Sequence, residues 1–187
     1  MYTKNYPDKV YYFITITTAF HYPYFDTDEK KMLVLNKLQE IEKDLNIKFK
    51  HFCILMNHIH LLVFLEKGNL YSKLKQQLKG GISYEYGKNY QKKYKTMWQT
   101  SKVQIIYEDE NIEKIEGYII GNLLKHKEVP TFDQIYDLPF SSMKSVVDEK
   151  GVEYAKNLVF DVIEFEENSS GDVQFEKLVG AKAPDPG

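Results

Sequence analysis

The chain has 187 residues, 43% hydrophobic and 28% charged, enough for one globular domain with a substantial core. Its single cysteine, Cys53, excludes an internal disulfide, and no apolar run approaches the roughly 18 residues of a membrane helix. The net charge of −2 argues only weakly against a nucleic-acid partner, because it averages two unlike parts: residues 1–132 hold 20 lysines against 15 acidic residues, and residues 133–187 hold 5 against 12. The first nine residues lack the apolar segment of a signal peptide, so a soluble cytoplasmic protein is expected.

In chain order, Tyr11 to Thr17 is β-branched and aromatic and reads as a strand. A turn-rich segment follows. Thr27 or Asp28 can cap a helix running to about Leu45, with Met32, Leu33, Leu35, Leu38, Ile41 and Leu45 at helical spacing. Phe49 to Met56 and His58 to Leu65 read as a hairpin turning at Asn57. Residues 70 to 90 read as a helix weakened by Gly80-Gly81, and Val103 to Tyr107 as a fourth strand. Asp109 or Asn111 caps a helix to about Lys125, with Ile112, Ile115, Ile119 and Leu123 as its stripe. This β-α-β-β-α-β-α order predicts an α+β, ferredoxin-like βαββαβ fold: an antiparallel sheet with helices on one face, followed by a further helix. The other face is left for a site. Beyond Pro130 one more helix is expected over residues 145 to 160. From Glu164 onward the chain is polar and acidic, and a flexible tail is expected. A division into residues 1–145 and 146–187 follows.

Residues 88 to 102 interleave lysines with Tyr90, Tyr94 and Trp98, a composition suited to tracking a phosphate backbone and stacking on bases, or simply to a solvated surface. Lys92, Lys93, Lys95 and Trp98 are the candidate DNA contacts. All 25 basic residues are lysines. Lysine meets phosphate as a point charge but lacks the planar fork that reads guanine, so base reading must rest on other groups.

His58 and His60, two apart in a strand, project from one face about 7 Å apart. They can converge on one metal ion, which normally needs a third protein ligand, or they can be satisfied core or edge histidines. Tyr118 and Asn122 are four apart in a helix and about 40° apart around its axis. A carboxamide oxygen suits Mg²⁺ or Mn²⁺, and a tyrosine one turn away can serve as a nucleophile. Spacing alone does not prefer Tyr118 to Tyr84, Tyr86, Tyr94 or Tyr107.

The run Met56-Asn57-His58-Ile59-His60-Leu61-Leu62-Val63 resembles the Met-Pro-Asn-His-x-His-hydrophobic run of the small single-tyrosine transposases, within the HUH (His-hydrophobic-His) endonucleases. Met97-Trp98-Gln99 is similar to their Trp-Gln block. Gly117-Tyr118-Ile119-Ile120-Gly121-Asn122 is similar to their Tyr-Ile-x-x-Asn helix, and Leu138-Pro139-Phe140-Ser141-Ser142 to their Trp-Ser-Ser block. The order fits best the branch associated with repetitive extragenic palindromic (REP) elements, over about residues 10 to 145.

The resemblance implies a metal site of His58, His60 and Asn122 holding Mg²⁺ or Mn²⁺, with Tyr118 as nucleophile. It implies cleavage of single-stranded DNA near a hairpin, through a 5′-phosphotyrosine intermediate that is later rejoined. It further implies a monomer or a homodimer, the latter with the tyrosine supplied across the interface. Where the family has proline before Asn57, this chain has Met56; where it has Asn-Pro, this chain has Asn122-Leu123. The last helix can therefore run on to Lys125 or His126, and His126 can approach the site. Two other readings remain: a non-catalytic nucleic-acid-binding module on the same fold, and a rolling-circle replication initiator of the same superfamily. The first would carry aromatics rather than a His-x-His pair on its central strand, and the second would lack the Trp-Gln and Phe-Ser-Ser blocks.

Overall fold

The computed structural model describes residues 6–107 and 109–162; the acidic segment expected to be flexible lies outside the described residues. Strand β1 (Val10–Thr18) turns Tyr12, Ile14 and Ile16 to one face and Phe13, Thr15 and Thr17 to the other, and all six are buried. Burial on both faces makes it a central strand. β3 (His58–Leu65) pairs with it antiparallel, from Val10 opposite Leu65 to Thr17 opposite His58. β2 (Phe49–Ile54) pairs with β3, and β4 (Trp98–Ile106) with the far side of β1. The sheet order β2-β3-β1-β4, antiparallel throughout, is the expected ferredoxin-like arrangement.

Helix α1 (Asp28–Leu45) begins at Thr27, whose hydroxyl accepts from the Lys30 backbone N–H at 3.4 Å, with Asp28 and Glu29 favourably placed in the first turn. Val34, Leu35, Leu38, Ile41 and Leu45 form its buried stripe, while Met32 faces outward. The expected helix over residues 70 to 90 consists of α2 (Leu70–Gln76), a π turn (Gln77–Gly81) and α3 (Ile82–Asn89). The glycine pair thus falls where the helix widens by one residue rather than where it ends. Tyr71 stacks on Tyr12 at 5.4 Å, which places this helical layer over the Tyr12 face of the sheet.

α4 (Asp109–Ile120) crosses the opposite face, and α5 (Asn122–Lys125) follows it after Gly121. The side chains of residues 109 to 111, the candidate caps, lie outside the described residues. A short helix not read from the sequence, α6 (Phe132–Tyr136), comes next. The single helix expected at 145 to 160 is two, α7 (Met143–Lys150) and α8 (Val152–Val162), parted at Gly151, whose φ of 90° a side-chain-bearing residue rarely adopts. α8 packs along α4. The approach is so close at Gly117 that a Cβ there would collide with the Leu158 carbonyl oxygen.

The block 140–142 covers the otherwise open edge of β2. Ile54 N–H donates to Phe140 O (2.8 Å), Ser142 N–H to Phe52 O (3.0 Å) and Phe52 N–H to Ser142 Oγ (2.7 Å). Among the described residues, no helix is long and apolar enough to cross a membrane.

Candidate active site

The sheet register places Thr15, Cys53 and His60 opposite one another on neighbouring strands, so they share the face crossed by α4. His58, two residues from His60, joins them: the two imidazole centroids lie 4.8 Å apart, with 2% and 0% of their surfaces exposed.

Each histidine is oriented by a neighbour. Asn57 Nδ2 donates to the His21 carbonyl (3.3 Å), so its Oδ1 is the atom 2.7 Å from His58 Nδ1. His58 therefore carries its proton on Nδ1 and its lone pair on Nε2. Thr15 Oγ1 lies 3.0 Å from His60 Nδ1. With the same tautomer, His60 turns the lone pair of Nε2, a buried atom without a hydrogen-bond partner, into the site. Cys53 takes no ionic part, because burial pushes its thiol pKa well up.

α4 brings the tyrosine. The Tyr118 ring packs 5.1 Å from His60 and 6.1 Å from Phe13, and is 2% exposed. One turn on, Asn122 is fully buried. Its Nδ2 donates back to the Tyr118 carbonyl (2.9 Å), and its Oδ1 is a second buried acceptor with no partner. Lys125 places its ammonium 5.2 Å from the Tyr118 ring centre. His126, expected as a possible neighbour, has its ring 4.7 Å from that of His58.

Among the described residues, no three His, Cys, Asp or Glu side chains are grouped to hold a metal ion. A metal here needs a donor of another kind. The two orphaned acceptors, imidazole Nε2 of His60 and amide Oδ1 of Asn122, are a mixed nitrogen and oxygen set that fits a divalent ion.

The candidate DNA contacts occupy another region. Lys93 and Lys95 are exposed and Lys92 half-exposed, in the loop between α3 and β4. Trp98 is half-buried: its indole N–H donates to the Lys79 carbonyl (2.8 Å) and its ring packs 5.8 Å from Phe25.

Sequence reading missed three supports of the site: Asn57 as an orienting group, Thr15, and Glu128. Thr15 is visible only through the cross-strand register. Glu128 answers a change the sequence does show. Met56 has a backbone N–H where proline would have none, and it donates to Glu128 Oε1 at 2.8 Å. Glu128 Oε2 pairs with Lys31, and both side chains are at most 10% exposed. Glu128→Ala would strand a buried ammonium and an amide at the hairpin that carries His58. It should cost about 3–5 kcal/mol in urea unfolding, with Glu128→Gln, which keeps an acceptor for Met56, costing less.

Burial, with the charges of His58, His126 and Lys125 nearby, holds the His60 pKa well below its usual value. The unfolded chain takes up this proton near pH 6.5, whereas the folded one resists it. Stability is therefore fully present above about pH 6.5 and falls as the pH drops below it. Thermal unfolding of metal-free protein should lose more between pH 7 and 5 in wild type than in His60→Gln.

A model of the family described as "Transposase IS200 like" matches residues 7–122. The chain belongs to the IS200-like transposase family. In this family member the matched region runs from just before β1 to Asn122, and so contains both histidines and the tyrosine. Its fold is similar to that of a REP-associated tyrosine transposase solved bound to a REP hairpin, with a TM-score of 0.67 at 18% identity, covering 92% of this chain and 96% of that one. A putative transposase from Deinococcus radiodurans R1 aligns with a TM-score of 0.48 at 16% identity, over 64% of this chain and 95% of that one. No curated protein matches the sequence.

Proposed function

We propose that this family member is a divalent-metal-dependent endonuclease and strand transferase that cuts single-stranded DNA beside a hairpin through a 5′-phosphotyrosine on Tyr118. The observation that carries the reading is the meeting, within one chain, of Tyr118 with His60 at 5.1 Å on a face that also holds His58. Tyr118 so close to His60 of its own chain supports a tyrosine that serves its own subunit, as in a monomeric enzyme. The hairpin in the similar REP-associated structure supports the choice of substrate class.

The Tyr118 phenolic oxygen attacks the phosphorus, the bond to the 3′ oxygen breaks, and the 5′ phosphate stays on the tyrosine. The phenol gives up its proton in the attack and the 3′ oxygen takes one up, leaving as a hydroxyl, so no net proton is consumed. The reverse attack rejoins strands with no outside energy source, because one phosphodiester has been exchanged for another. Lys125 sets a positive charge beside the reacting phenol. His58, His60 and Asn122 would hold Mg²⁺ or Mn²⁺, which supplies Lewis-acid polarisation of the phosphate when bound. Asn57 Oδ1 keeps the proton of His58 on Nδ1, and Thr15 Oγ1, able to donate or accept, holds the His60 ring in place at Nδ1 with Nε2 facing the site. The test is a denaturation-resistant protein–DNA adduct formed on a hairpin-bearing single strand in the presence of Mg²⁺ or Mn²⁺, and absent from Tyr118→Phe.

A further inference from the structure

At the end of β1 the chain reverses through a short 3₁₀ turn, Ala19–His21, in which two consecutive residues without glycine's freedom, Phe20 and His21, have φ of 56° and 53°. Side-chain-bearing residues rarely adopt that conformation, and strain of this kind persists only where its surroundings enforce it. The turn is tightly held. Thr18 N–H donates to Asn57 O (2.9 Å), Ala19 N–H to Met97 O (2.9 Å) and Thr18 Oγ1 to Tyr22 O (2.8 Å), while Asn57 Nδ2 holds the His21 carbonyl. The outcome is an aromatic ring pushed into solvent: Phe20 is 77% exposed. Its packing partner is Tyr94 at 4.8 Å, and the Tyr94 backbone N–H is fixed by the hydroxyl of the fully buried Tyr24 (3.0 Å).

Two features indicate what this ledge takes. Tyr94 sits between Lys93 and Lys95, both exposed, with Lys92 beside them, so the ring stands in a positive field. A second copy of the same lysine-rich face would be repelled. A polyanion carrying flat apolar groups would be attracted on both counts. Second, the side chain of Asn57 that clamps the turn also orients His58. One side chain therefore ties the ledge to the candidate metal site, and whatever lies on Phe20 is placed relative to that site.

We propose that Phe20, backed by Tyr94, is a stacking platform for one unpaired nucleobase of the single strand next to the scissile phosphate, with Lys93 and Lys95 holding the adjoining phosphates. The inference rests on the reading of the protein as a single-strand DNA enzyme. It moves base stacking from Trp98, whose ring is packed against Phe25, to Phe20.

The test uses Phe20→Gly and Phe20→Trp in the full chain. Glycine is at ease at this positive φ and the lost ring is exposed, so Phe20→Gly should fold with unchanged or higher thermal stability. Its affinity for a hairpin-bearing single strand should fall about tenfold or more, the usual effect of losing one stacked base. The slope of affinity against salt should stay the same, because no charge is removed. 2-Aminopurine walked along the strand should be quenched at one position by wild type and by Phe20→Trp, and not by Phe20→Gly. An abasic site at that position should weaken wild type and leave Phe20→Gly unaffected.

Undiminished affinity in Phe20→Gly, with the Tyr118 adduct still forming, would overturn the platform and leave the enzymatic reading standing. A fall in sedimentation to a smaller species with DNA affinity unchanged would assign the ledge to a second copy and also overturn it. Failure of wild type to bind single strands would overturn both.

Discussion

Tyr118→Phe should abolish the covalent protein–DNA adduct and lower cleavage at least about 10³-fold, a loss of about 4 kcal/mol or more in transition-state stabilisation. The substitution removes one oxygen and keeps the ring. Phe13 and His60 meet the tyrosine through its ring, edge-on at 88° and 70°, so the packing survives. Folding stability should change by about 1 kcal/mol, the net worth of one hydrogen bond. Loss of activity without loss of fold is the signature of a nucleophile. Denaturing gel electrophoresis of labelled strand reads the adduct, and thermal unfolding reads the fold. An adduct of undiminished yield in Tyr118→Phe would refute the assignment. The other tyrosines provide a control: Tyr84 is 64% exposed and Tyr107 63% exposed, and their phenylalanine variants should form the adduct normally.

Removal of divalent metal should stop cleavage completely, with Mg²⁺ or Mn²⁺ restoring it. His60→Ala should weaken Mn²⁺ binding at least about 100-fold by calorimetry, because it deletes a nitrogen whose lone pair has no other use in the fold. Asn57→Ala, which spares the ligands but frees the His58 ring, should cost about 10- to 100-fold, as orienting residues behind metal ligands usually do. DNA binding should persist in His60→Ala, since the exposed lysines and the Asn57 contact to the His21 carbonyl are untouched. Wild type that binds DNA but neither binds metal nor cuts would instead indicate a non-catalytic nucleic-acid-binding module.

The elements that carry these residues differ in how far the sequence reveals them. Alternation in β1 and β3 is a local property, and the strand from His58 to Leu65 could be delimited residue by residue. β4 starts at Trp98 rather than at the expected Val103, because its early residues are strand only by pairing with β1, where Trp98 meets Thr18 across a bulge. Gly151 lies in the polar run Asp148 to Gly151, and a single glycine there can sit within a helix or end it; that it ends α7 is decided by its φ of 90°. α6 is five residues long, too short for a periodicity to register.

The same division holds for the candidate site. The identities of His58, His60, Tyr118 and Asn122, and the face each takes within its own element, follow from spacings of two and four residues and from family resemblance. These are consequences of strand and helix geometry that need no distant contact. That α4 lays Tyr118 on His60, that Thr15 lies opposite His60, and that Glu128 reaches the Met56 amide were decided by the tertiary structure alone. Each joins residues 45 to 72 positions apart, a separation at which neither periodicity nor propensity carries information, and only the packing of α4 and the antiparallel register of β1 on β3 bring them together.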